Sequence, residues 1–325
     1  MKYPLVRLRR LRENPKLREL LSEHTLLAKD LVQPLFVKEG ILKSVEISSM
    51  PGQFQFSEKE ILDEAKKIQS LGIQAVIIFG IPARKDKTGQ QAFSKKGVIP
   101  RTVMAIKKKC PRLLVMTDVC LCEYLNHGHC GHIDRGRVLN DVSVRTLARV
   151  ALSHAEAGAD AVAPSDMMDG RVLGIRRILD KNGFQHTPVI SYSVKYASGF
   201  YSPFREAAES APSFGDRAGY QMNPANSLEA LREAQTDLEE GADALLVKPA
   251  LGYGDIIYRL KEKFSCPIGA FSVSGEYAMI KAAAKSGWLD EKRIVLETHL
   301  SLKRAGANFI MTYWAKNIAG WKKNL

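Results

Sequence analysis

Short, almost wholly apolar runs alternate with longer amphipathic stretches along most of the chain. The runs are LVQPLFV from Leu31, AVIIFG from Ala75, LLVMTDVC from Leu113 and AVAPSD from Ala161, then PVISYSVK from Pro188, ALLVKPA from Ala244, PIGAFSVS from Pro267 and FIMTYWA from Phe309. Continuous apolarity, as opposed to strict alternation, is the pattern of parallel strands covered on both faces. The stretches between them, such as SEKEILDEAKKIQSLG, DVSVRTLARVALSHAEAG and NSLEALREAQTDLEEG, have helical spacing. They begin at Ser, Asp or Asn and end at Gly, which is helix-capping chemistry. The phrases LGIQAVIIF, AGADAVAPS, EGADALLVK and AGANFIMTY repeat one helix-to-strand junction. Eight strands with intervening helices predict an α/β chain folded as a (β/α)8 TIM barrel. A two-lobed doubly wound sheet competes, but the first strand leads into no G-x-G-x-x-G turn. The expected organisation is an N-terminal arm over residues 1–30, for subunit contacts, and a barrel over 31–325.

Composition narrows the class. With 45% hydrophobic and 26% charged residues, disordered, collagen-like and disulfide-scaffold readings drop out. No apolar run approaches the roughly 18 residues of a membrane span. The beginning of the chain lacks a signal-peptide pattern, which argues for a cytoplasmic protein. Lys+Arg number 48 against 35 Asp+Glu, a net charge of +13. Apart from RLRRLRENPKLRELL near the start, these charges are scattered over helix faces, and no RNP, KH or zinc-finger pattern is present. Neither nucleic acid nor a membrane is an expected partner.

Barrel chemistry sits where strands exit at their C-terminal ends. The predicted exits carry Asp118 and Cys120, Ser165 and Asp166, Lys195, Lys248, Ser274 and Tyr313. Lys195 and Lys248 end successive strands, about 4.8 Å apart. A desolvated lysine beside a second cation becomes neutral near pH 7 and attacks a ketone to give a Schiff base. The alternative is a lysine that snorkels out or pairs with a carboxylate such as Asp166.

Residues 118–132 read DVCLCEYLNHGHCGH. Cys120, Cys122 and Cys130 offer three thiolates, with His127, His129 and His132 nearby. Three protein ligands with a fourth position open is the pattern of a catalytic zinc. A closed Cys3His structural site through His129, or a reduced cluster without metal, are the alternatives. Cys110 and Cys266 read as ordinary core or junction cysteines. From Tyr196 to Tyr220 a long stretch rich in Gly, Ser, Pro and aromatics reads as a lid. Its Arg205 and Arg217 suit a substrate carboxylate, and a surface salt bridge is the alternative for each.

Six ordered stretches, DVCLCEYLNHGHCG, APSDMMDGRV, SYSVKYASGFYSPFREAA, GDRAGYQMNPAN, LLVKPALGYGDI and VSGEYAMIKAAA, resemble the porphobilinogen synthase (5-aminolevulinate dehydratase) family over nearly the whole chain. The resemblance implies an asymmetric condensation of two 5-aminolevulinate molecules to porphobilinogen, with loss of two waters, in tetrapyrrole (heme) synthesis. It implies that Lys248 forms a Schiff base with the substrate supplying the propionate side, and Lys195 with the one supplying the acetate side. Ser274 and Tyr313 would hold the first carboxylate; Arg205, Arg217 and Gln221 the second. Asp118 and Ser165 would orient the second substrate, and Cys120, Cys122 and Cys130 would bind catalytic Zn2+. Animal and yeast members place a second zinc on a histidine matching His129 and a lid cysteine, where this chain has Gly219. Many bacterial members bind an activating Mg2+ through a glutamate matching Glu233; an exposed helix glutamate is the alternative. The arm implies a homo-octamer of arm-embracing dimers. Two other readings use the same features: a Schiff-base aldolase or lyase needing one lysine, and a basic zinc protein binding nucleic acid.

Overall fold

A computed structural model describes residues 2–323, so the last two positions of the expected barrel range lie outside it. Eight parallel strands form the barrel wall: β1 Leu31–Lys38, β2 Ala75–Ile81, β3 Leu114–Val119, β4 Ala161–Pro164, β5 Ile190–Lys195, β6 Ala244–Lys248, β7 Ile268–Ser272 and β8 Phe309–Thr312. Neighbours follow the order β4-β3-β2-β1-β8-β7-β6-β5. The ring closes through a parallel bridge between Val162 and Val189, at the foot of β5. Every strand residue of β2, β4, β5, β6 and β7 is buried, as expected of strands covered on both faces. All eight expected strands are present, and the barrel stands.

The outer layer consists of α1 Glu60–Ser70, α2 Val98–Lys109, α3 Asn140–Glu156, α4 Arg171–Lys181, α5 Leu228–Glu239, α6 Gly254–Lys263, α7 Ser274–Lys285, α8 Glu291–Ala305 and α9 Ala315–Lys323. Their inward stripes follow the helical repeat; α1, for example, buries Ile61, Ala65 and Ile68 and leaves its charged positions outward. α8 starts where the Asp290 side chain accepts a hydrogen bond from the Arg293 N–H, and stops at left-handed Gly306 with φ 115°. The upper interior of the barrel is aromatic. Phe36 and Phe79 lie 5.5 Å apart by ring centroid, and Phe79 meets Phe204 edge-on at 5.1 Å.

Three features depart from the expected plan. Strands Val45–Glu46 and Phe54–Phe56 pair antiparallel, and the second also runs parallel to the upper part of β1. The lid stretch contains a short helix, Ser202–Ala207, that buries Phe204 and Ala207. In the arm, a 3-10 turn over Leu8–Leu11 and a helix over Pro15–Leu20 bury no residue. Leu5, Leu8 and Leu20 are largely exposed. Among the described residues no helix is long and apolar enough to cross a membrane.

Candidate active site

β5 and β6 run in register, with Lys195 opposite Lys248 at their C-terminal ends. Each is only 4% exposed, and among the described residues neither joins an ion pair. The snorkelling and carboxylate-paired alternatives therefore do not describe them. Asp166 accepts instead from the Met168 N–H at 2.8 Å. Lys195 donates to the Ser165 carbonyl. The Lys248 amine sits in an aromatic cage, 4.5 Å from the ring centroid of Phe271, 4.8 Å from Phe204, 5.2 Å from Tyr192 and 5.5 Å from Tyr201. Burial pushes Lys248 down to about 7, and the Lys195 charge adds to the displacement. Burial likewise pushes Asp118 up to about 8, with Glu123 acting in the same direction. Near pH 7 an amine that is about half neutral and a largely protonated carboxyl thus share one desolvated site.

β3 delivers Asp118, and the chain leaves the strand through Cys120 and Cys122 before a turn returns Cys130. The three sulfurs lie within 4.8 Å of one another, all buried and unoxidised; Cys120 and Cys122 are 3.3 Å apart. The Cys130 thiol is held low by hydrogen bonds from Cys120 and Cys122, then by the positive charges of Arg217 and Lys195. The histidines stand apart. His129 meets the Tyr220 hydroxyl at 3.2 Å through Nδ1 and the Phe214 carbonyl at 3.1 Å through Nε2. His132 meets Thr146 at 2.9 Å, and His127 accepts from the His129 N–H at 3.1 Å. Three soft sulfur donors in a compact buried set suit a tetrahedral zinc with one open position. Cys110 caps α2 and Cys266 is half-buried before β7, away from this set as expected.

The expected carboxylate binders fall into two groups around the lysines. Tyr313 and Ser274 lie at the exits of β8 and β7. The Tyr313 hydroxyl is buried without a partner, whereas Ser274 Oγ accepts from the Phe204 N–H at 2.9 Å. Arg205, Arg217 and Gln221 line a second cavity of about 460 Å3 with Ser198 and Asn223. Arg217 donates through Nη2 to the Gly128 carbonyl at 2.9 Å and the Ser210 carbonyl at 2.6 Å. Buried polar atoms without partners are rare, yet Asp118 Oδ1, Arg205 Nε, Arg217 Nε, Gln221 Nε2 and Tyr313 OH all lack one. The arginine, amide and hydroxyl donors among them are groups that a polar anionic ligand would satisfy. Ser165 lies beside both Asp118 and Lys195. Glu233 is not among these groups: it is half-buried on α5, in an adjoining cavity of about 320 Å3 with Asn140, Asp169 and Glu229, which shares only Ala218 and Gln221 with the arginine cavity.

Several residues of the site were not singled out in the sequence. Tyr201 and Phe204 read only as part of an aromatic-rich lid, and Tyr192 and Phe271 only as parts of strand runs; their shared contact with one amine depends on four elements, β5, two short turns of the lid and β7. Glu123 is buried beside the thiols, where burial raises its carboxyl; a charged residue inside the C-x-C loop was the available signal. Glu276 accepts from the N–H groups of Leu251 at 2.9 Å and Val273 at 3.0 Å, and from that of Ala250 at 3.1 Å. It ties the exit of β6 to that of β7.

The chain matches a model of the family described as delta-aminolevulinic acid dehydratase over residues 5–321. A delta-aminolevulinic acid dehydratase of Methanothermus sociabilis is 54% identical over 318 residues, 98% of this chain and 99% of the relative. One from Bacillus subtilis is 52% identical over 313 residues, covering 96% and 97%. Among solved structures, the enzyme of Toxoplasma gondii ME49 in complex with the reaction product porphobilinogen superposes with a TM-score of 0.96. It is 44% identical, with 98% of this chain and 92% of that one covered.

Proposed function

The chain belongs to the delta-aminolevulinic acid dehydratase family and condenses two 5-aminolevulinate molecules to porphobilinogen for tetrapyrrole synthesis, and from that premise we propose how its own residues divide the work. Lys248 is the nucleophile toward the first substrate: its neutral amine adds to the ketone, and loss of water gives a Schiff base. The observation that carries this reading is its buried cage of four aromatic rings, in which burial pushes the pKa down to about 7 and leaves much of the amine neutral. Lys195 forms the corresponding bond with the second substrate. Each Schiff base withdraws electrons and acidifies the adjacent carbon. Ser274 and Tyr313 hold one carboxylate, while Arg205, Arg217 and Gln221 hold the other, so two identical molecules are kept in different orientations. Asp118, protonated near neutrality, and Ser165 orient the second substrate and are placed to exchange a proton with it.

Cys120, Cys122 and Cys130 hold a zinc ion in this reading. Bound there, zinc supplies Lewis-acid polarisation of a substrate oxygen. Gly219 offers no thiol to His129, and both ring nitrogens of His129 already meet lid atoms. We therefore assign no second zinc. The acidic lining around Glu233 supports a water-rich Mg2+ there, since magnesium keeps several waters and few carboxylates. The uncovered apolar side chains of the arm support its packing on another subunit in a homo-octamer. A cytoplasmic setting belongs to this reading, because thiols that must stay free to hold a metal persist in a reducing compartment.

The test is borohydride reduction with and without 5-aminolevulinate, followed by peptide mapping. A substrate-dependent adduct on Lys248 is expected; a folded, zinc-loaded enzyme that gives none would remove the covalent mechanism.

A further inference from the structure

The four residues His127–Cys130, which end on the third thiol, touch the lid at every position. The Ser213 N–H donates to the His127 carbonyl at 2.9 Å, and Arg217 donates to the Gly128 carbonyl at 2.9 Å. The Phe214 ring packs on the His129 ring at 4.7 Å between centroids. Tyr220 meets the same turn twice: its hydroxyl lies 3.3 Å from the Cys130 N–H and 3.2 Å from His129 Nδ1.

One neutral tautomer satisfies every partner in this chain of contacts. The Cys130 N–H donates to the Tyr220 oxygen. The Tyr220 O–H donates to His129 Nδ1. His129 Nε2–H then donates to the Phe214 carbonyl at 3.1 Å. Gly128 explains how the backbones come so close. It has φ +70°, and a Cβ there would lie 2.3 Å from the Ala211 carbonyl oxygen and 3.2 Å from that of Ser210. A side chain at position 128 would therefore push the lid off the turn.

From this geometry we infer that Tyr220 is a positioning residue that joins the thiolate turn to the arginine lid, so that zinc binding and lid docking stabilise each other. The inference rests on the zinc reading above. The stretch from Ser210 to Met222, the end of the lid and the two residues after it, carries Arg217 and Gln221, and both the Tyr220 and Gln221 N–H groups bond to the Arg217 carbonyl, at 3.2 and 2.9 Å. Whatever holds Tyr220 therefore also aims the carboxylate clamp. In the other direction, the hydroxyl fixes the backbone of Cys130 and hence one sulfur of the metal set. Such coupling is reciprocal: if zinc orders the lid, a closed lid tightens zinc by the same factor. Partners one step removed from a metal typically change its affinity about 10–100-fold when removed.

The experiment uses the full chain, zinc-loaded and chelator-stripped, as wild type, Tyr220→Phe and Gly128→Ala. It reads zinc per chain, zinc affinity by chelator competition, and hydrogen exchange of peptides covering 210–222. In the wild type, stripping zinc should speed lid exchange about tenfold or more. Tyr220→Phe should weaken zinc about 10–100-fold, lose most of the zinc-dependent protection of the lid, and raise KM more than it lowers kcat. A residue that merely supports the fold would leave the zinc-dependent difference intact. Zinc bound at wild-type stoichiometry with lid exchange unchanged by its removal would overturn the inference and spare the metal reading. A wild type that binds no zinc would overturn both. Because the wild-type comparison needs no variant, poor folding of Gly128→Ala or Tyr220→Phe does not shield the idea.

Discussion

Replacing Lys195 by methionine removes one charge beside Lys248 and keeps an unbranched side chain of similar length. Lys248 is lowered from 10.5 to about 7, by burial first and Lys195 second, with Asp118, Cys122 and Cys120 pulling the other way, so the neighbour contributes less than burial does. A unit charge about 5 Å away at an effective dielectric of about 20 interacts by about 3 kcal/mol, a ceiling near two pKa units. The larger share held by burial cuts that to about one unit. The sign is fixed, because removing a like charge favours the ammonium form. Lys248 should therefore rise to about 8, and its neutral fraction at pH 7 should fall from about one half to about one tenth. The assay is single-turnover borohydride trapping of 5-aminolevulinate on Lys248, read by mass spectrometry from about pH 6 to 9. The midpoint should move up by about one unit and the yield at pH 7 should drop about fivefold. Lys195→Arg retains the charge and should leave the midpoint near its wild-type position. A midpoint that stays in place or moves down in Lys195→Met would refute the claim that the two amines share one field.

Cys122→Ala should lose zinc and most activity while the barrel stays folded; unchanged zinc per chain, measured by elemental analysis, would contradict the thiolate assignment. Tyr313→Phe deletes a buried hydroxyl that has no protein partner, so stability should hold. A hydrogen bond to a charged carboxylate is worth about 1.5–3 kcal/mol, and steady-state kinetics should show KM raised about 10–100-fold; an unchanged KM would remove Tyr313 from the clamp. Asp237→Ala strands Arg171, which is 2% exposed and bonded to Asp237 at 2.9 Å. It should cost about 3–5 kcal/mol in urea unfolding, and a loss below about 1 kcal/mol would mean that water reaches the pair.

The strand pattern was legible because every barrel strand is short and buried on both faces, so local apolarity reports its tertiary environment. Lys195 and Lys248 stood out for the same reason, as charged residues ending such runs. The cysteines stood out by type and spacing within one turn. The hairpin over residues 45–56 carries no comparable signal: Val45 and Glu46 are exposed, and the strand over 54–56 is held by pairing with them and with β1.

What the sequence alone determined was the identity and order of the parts: eight strand runs, two lysines at strand exits, three thiols in one turn, and two arginines in a lid. Tertiary structure decided what those parts are to one another. Lys248 is pushed toward neutrality because Tyr192, Tyr201 and Phe204 of the β5 unit meet Phe271 of the β7 unit and exclude water around one amine. His129 faces the lid and not the sulfurs because Tyr220 and Phe214, some ninety residues away in sequence, supply its partners. Local pattern fixes which face of an element is buried. Desolvation and hydrogen-bond pairing depend on atoms brought together from distant segments, and those distances exist only once the barrel has closed.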